Sequence, residues 1–94
     1  MAGEKTGDAA LDRLRGLLAT NDLALLDSVN RRLDLVHEIK QRKEELGVSF
    51  VDPQREAWLL DHLERANNGR LSEEGLREFF SGVLELTKRE LTAE

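Results

Sequence analysis

With 94 residues, the chain has room for one domain and a thin core. Its 19 acidic and 14 basic residues leave a net charge of -5, which argues against general nucleic-acid binding, and the lack of Cys rules out a disulfide framework, thiolate chemistry and cysteine–zinc sites. Aromatic content is 4% and charged content 35%, a mixture suited to helices with one apolar face.

Residues 1–7 (MAGEKTG) are polar and Gly-rich and read as a flexible tail. They hold no apolar stretch of a secretory signal, and no later run approaches membrane-spanning length, so a cytoplasmic protein is expected. Asp8 is an N-cap candidate, and no Pro follows until Pro53. Apolar residues recur at Leu11, Leu14, Leu18, Leu25, Val29, Val36, Ile39 and Leu46, in steps that follow a helical face. Gly16 interrupts that pattern at a cost of about 1 kcal/mol relative to Ala. Gly47 reads as the stop. The spacing predicts one helix over residues 8–46, on the order of 55–60 Å long.

Residues 48–51 (VSFV) form a short extended connector. Asp52-Pro53 then combines a capping acid with Pro at the first helical position. The second helix is expected to turn Leu59, Leu60, Leu63 and Ala66 inward and to stop near Asn67-Asn68-Gly69. Ser72-Glu73-Glu74 opens a third, with an apolar stripe through Leu76, Phe79, Phe80, Val83, Leu84, Thr87 and Leu91. The fold class is all-α: three helices in a single domain over 1–94, one of them very long. Neither short helix can cover the long one, so an intertwined helical homodimer is expected.

Charge falls in unexpected places. Stepping along the first helix from Leu18 gives Asp22, Leu25, Val29, Arg32, Val36, Ile39, Lys43 and Leu46. Arg32 and Lys43 thus stand in line with core residues, eleven positions or about three turns apart. Arg15 lies near the same line one turn before Leu18. A cation on a buried stripe is costly unless an anion meets it. The alternatives are snorkelling to solvent or pairing with acids of a partner chain. Asp52, Arg55 and Glu56 add charge at the start of the second helix, where the acids can be simple capping groups. Arg55 is the odder residue, because a cation is mildly unfavourable in a first turn. Arg and Lys side by side suit a small polyanion, Arg through bidentate hydrogen bonds and Lys as a mobile charge. Many metabolites would fit that description.

The segments LRGLLATNDLALLDSVNRRLDLVHEIKQRK and FVDPQRE resemble the all-helical chorismate mutase family, the AroQ class. The resemblance runs over residues 14–63 and more weakly to the end. Arg15, Arg32, Lys43, Asp52, Arg55 and Glu56 match the family's Arg, Arg, Lys, Asp, Arg and Glu in order, without a gap. It implies a homodimer with two sites, each completed by Arg15 of the other chain, and no cofactor or metal. The implied reaction turns chorismate into prephenate, on the route to phenylalanine and tyrosine. In the family the Arg and Lys residues grip two carboxylates, the Lys also donates to the ether oxygen, and the acid matched by Glu56 binds the ring hydroxyl. A [3,3] rearrangement needs no nucleophile, metal or proton shuttle, which agrees with the missing Cys. It needs a folded substrate and stabilised charge on the ether oxygen.

One departure lies near the chain end. The family presents a small hydroxyl residue there, then Gln four positions later as a second donor to the ether oxygen. Thr87 meets the hydroxyl position, but Leu91 falls at the Gln, with Glu90 adjacent. Either Glu90 serves as a catalytic donor, which requires its protonated form and favours acidic pH, or the second donor is absent. His37 and His62 lack a companion ligand and read as surface or interface residues, and Trp58 as packing or interface. Glu38, Glu44 and Glu45 read as solvated faces. Asp22 either sets partner register or pairs with a cation.

Two rivals share the scaffold, an isochorismate pyruvate lyase and a 4-amino-4-deoxychorismate mutase; the acid pair Asp52 and Glu56 favours a mutase on a hydroxylated ring. A third rival is a non-catalytic helical interaction module. Association with another aromatic-pathway enzyme is compatible with each.

Overall fold

The computed structural model describes residues 6–92, in three helices: α1 (Ala9–Leu46), α2 (Pro53–Ala66) and α3 (Glu73–Thr92). No strand occurs among the described residues. The chain divides into two compact units, Met1–Leu35 and Val36–Glu94, so α1 contributes to both.

In the first unit, local capping chemistry sets the start of α1. The Asp8 carboxylate accepts from the Leu11 backbone N–H at 2.9 Å, satisfying an amide that has no partner within the helix. Thr6 donates to Asp12 Oδ1 through its backbone N–H at 2.8 Å and through its hydroxyl at 3.0 Å. That corrects part of the expected flexible tail: Thr6 is tied to the first turn, while residues 1–5 lie outside the described region. From there the helix runs without burying a single side chain. Leu11, Leu14, Leu17, Leu18, Leu23, Leu25, Leu26 and Leu35 are all exposed.

In the second unit, the end of α1 is a complete Schellman motif. Gly47 takes a left-handed φ of +69°, which glycine adopts without steric cost. The Val48 N–H donates to the Lys43 carbonyl at 3.0 Å and the Gly47 N–H to that of Glu44 at 3.2 Å. Helix α2 begins as expected, with the Asp52 side chain accepting from the Arg55 N–H at 3.1 Å and Pro53 opening the helix. Asn67 ends it. Its side-chain amide donates to the Leu71 carbonyl at 2.8 Å and its side-chain oxygen accepts from the Gly69 N–H at 3.1 Å, which shapes the turn into α3. Ser72 caps α3 by accepting from the Gly75 N–H at 3.0 Å.

Helices α2 and α3 pack on each other. The buried centre of this unit is Leu76, Thr87 and Leu91, with Leu59, Leu60, Leu63, Phe80, Val83, Leu84 and Leu86 half-buried around it. Two expected inward positions are corrected. Ala66 is exposed, because α2 ends there and the chain turns away. Phe79 is also exposed, whereas its neighbour Phe80 is half-buried; the two rings meet edge to face at 5.1 Å. Arg77 clamps α3 to α2 through Asp61 at 3.0 Å and through Glu64. The Glu64 hydrogen bond is the main cause of a raised Arg77 pKa, with Asp61 adding to it.

Candidate active site

The second unit holds most of the candidate residues, placed by three pieces of backbone: the end of α1, the first turn of α2 and the last turns of α3. Lys43 sits in the last turn of α1, half-buried, and its ammonium donates to the Phe50 carbonyl at 3.0 Å. The same ammonium lies 5.9 Å from the centre of the Phe50 ring, and Lys40 approaches that ring at 5.8 Å. Such contacts contribute about 0.5–1 kcal/mol each where partly exposed. Lys40 also donates to the Leu91 carbonyl at 2.6 Å, satisfying an acceptor at the C-terminal end of α3 where a cation is favoured.

In the first turn of α2, Asp52 works as a cap and Arg55 points outward. The Arg55 guanidinium lies 4.0 Å from the Trp58 ring centre, and Trp58 stacks on His62 at 4.7 Å with 10° between the planes. Trp58, expected as packing or interface, is therefore an exposed platform for Arg55. All five guanidinium N–H donors lie in the guanidinium plane and suit a carboxylate. Glu56, one position on, turns inward to α3 and pairs with Lys88, whose ammonium is 3.3 Å from both carboxylate oxygens. The two side chains are 29% and 38% exposed, so the pair contributes no more than about 1 kcal/mol to the fold.

The α3 wall runs through Thr87, Lys88 and Leu91. The Thr87 side chain is buried, and its hydroxyl donates to the Val83 carbonyl at 2.7 Å. Leu91, at the position where the resemblance would put Gln, is buried beside it, whereas Glu90 is exposed. The structure thus gives Lys43 and Glu56 separate partners, the Phe50 carbonyl and the Lys88 ammonium.

Arg15 and Arg32 belong to the first unit. Arg15 is exposed and Arg32 half-buried. Desolvation by burial lowers the Arg32 pKa, yet a guanidinium stays charged throughout the physiological range.

Lys88 and Lys40 were missed in the sequence. The signal for Lys88 was the one that selected Arg32 and Lys43, a cation on an apolar stripe: it lies four residues after Leu84 and three before Leu91. Lys40 likewise follows Val36 by four and precedes Lys43 by three. A shallow depression at the α2–α3 turn, lined by residues such as Glu64, Arg65, Asn67 and Glu73, includes none of the candidate residues. Among the described residues no group of three or more His, Asp or Glu could hold a metal ion, and no helix is long and apolar enough to cross a membrane.

Residues 14–91 match the family described as chorismate mutase type II. The match covers well over half of the 94 residues, crosses the boundary between the two units, and takes in every candidate position from Arg15 to Glu90. The chain belongs to this family of all-helical mutases. Neither curated proteins nor solved structures gave a match.

Proposed function

We propose that this protein is a cytoplasmic chorismate mutase, converting chorismate to prephenate for phenylalanine and tyrosine synthesis. The carrying observation is the family match over residues 14–91, which spans the whole candidate set. The local geometry supports it: Lys43 is held at the connector by Phe50, and Glu56 faces α3 from the first turn of α2.

In this reading the reaction forms one carbon–carbon bond as the ether carbon–oxygen bond breaks, within one molecule and without proton transfer. What catalysis requires is a compact conformer and a cation where negative charge grows on the ether oxygen. Arg15, Arg32 and Arg55 bind the two carboxylates. Lys43 donates to the ether oxygen, and its backbone and side-chain ties at the connector lower the reorganisation needed to do so. Glu56 accepts from the ring hydroxyl. Thr87 lines the α3 wall with Leu91, and Lys43 is then the principal ether-oxygen donor.

The protein works as a homodimer with Arg15 contributed across the interface. The exposed leucines of α1 support this, since fully covering one such side chain is worth about 1.5–3 kcal/mol. The deciding experiment follows chorismate loss by absorbance with purified protein and with Lys43→Ala. Turnover is expected, falling about 10²–10³-fold in kcat/KM for the variant, as for loss of one preorganised donor. Turnover left untouched by both Lys43→Ala and Arg32→Ala would favour a non-catalytic interaction module instead.

A further inference from the structure

The Lys88 ammonium stands 3.3 Å from each oxygen of the Glu56 carboxylate, so it straddles the group. Both side chains are more than half covered, in a setting that screens charge less than bulk water does. Glu56 is therefore a charge-compensated acceptor, with a fixed cation beside it. We infer that Lys88 is a specificity-determining residue: it biases the Glu56 position toward substrates bearing an uncharged ring hydroxyl and against those bearing a ring ammonium. This inference rests on the mutase reading, in which Glu56 receives the ring substituent.

A hydroxyl and an amine differ sharply at such a place. Either can donate to a carboxylate oxygen. An alkyl amine, however, is an ammonium at neutral pH, and hydrogen bonding to Glu56 brings it within about 4–6 Å of the Lys88 ammonium. An uncharged hydroxyl pays no repulsion there. A lone carboxylate would attract an ammonium more strongly than a hydroxyl; the straddling lysine cancels that attraction. At that separation, with screening between that of water and a protein surface, repulsion amounts to roughly tenfold in relative affinity. Lys88 does not need to touch the reacting atoms to act in this way. It works through the Glu56 charge and its own field.

The test compares kcat/KM for chorismate and for 4-amino-4-deoxychorismate in the wild type and in Lys88→Met, Lys88→Gln and Lys88→Arg, with folding checked by circular dichroism. Both neutral variants are expected to raise the amino-to-hydroxyl ratio about tenfold, while Lys88→Arg keeps the wild-type ratio. Met and Gln differ in packing but share the loss of charge, so a common shift in both identifies charge as the cause. Ratios within twofold of wild type in both neutral variants would overturn the role of Lys88 and leave the mutase reading standing. An equal shift in Lys88→Arg would also overturn it, because side-chain shape would then be responsible. A wild type that turns over neither compound overturns the mutase reading, and the inference with it.

Discussion

Residues 6–35 and 36–92 each contain nine leucines, and they use them differently. In the first stretch eight are exposed and only Leu33 is partly covered. In the second only Leu46 and Leu71 are exposed, while Leu76 and Leu91 are buried and the rest half-buried. Composition is thus no guide to where a core lies. The second stretch has neighbouring helices to pack on each other; the first is one long helix that buries none of its side chains. One half of the molecule carries its own core, and the other carries the surface on which a dimer would depend.

The sharpest way to break that contrast is to place a charge on the first stretch. Leu25→Asp is expected to convert a dimer into a monomer and to lower helix content, because a carboxylate on a covered apolar face has no partner. Sedimentation and circular dichroism read both effects, and an unchanged mass would show that this face is not the cover. A smaller effect comes from the second stretch. Leu76→Ala is expected to destabilise by about 2–4 kcal/mol, seen in urea melts, since Leu76 is among the most buried side chains described. Its oligomeric mass should stay that of the wild type. The smallest effect is at the exposed end of α3. Glu90→Gln should leave both chorismate turnover and its pH–rate profile unchanged, as suits an exposed acid; a loss of acid-side activity would identify Glu90 as a donor.

Much of the fold was legible because helix ends are local chemistry. Asp8, Gly47, Asp52-Pro53 and Ser72 each act within a few residues of themselves, and each marks the boundary that its side chain or backbone freedom suggests. Tertiary neighbours carry no such mark. Phe79 and Phe80 are adjacent in sequence and equally apolar, yet one is exposed and the other half-buried, a choice made by tertiary packing. Family membership was legible because six charged positions, Arg15 to Glu56, keep a fixed order along the chain. The Lys88–Glu56 pair was not, since its members are 32 residues apart and nothing in either local pattern names the other. Trp58 behaves similarly: its i−3 relation to Arg55 is visible in the sequence, but the choice to stack rather than bury belongs to the fold.

Lys43, in the last turn of α1, is tied to the connector at both of its ends. Lys43 accepts from the Val48 N–H with its carbonyl and donates to the Phe50 carbonyl with its ammonium. The connector is thereby wound around a single residue, and its length becomes a ruler. One residue inserted or deleted between Gly47 and Asp52 would leave all three helices their caps and stripes, yet would set the ammonium at the wrong mark. A homologue or designed variant with a different connector length should therefore keep its fold while losing the placement of this cation.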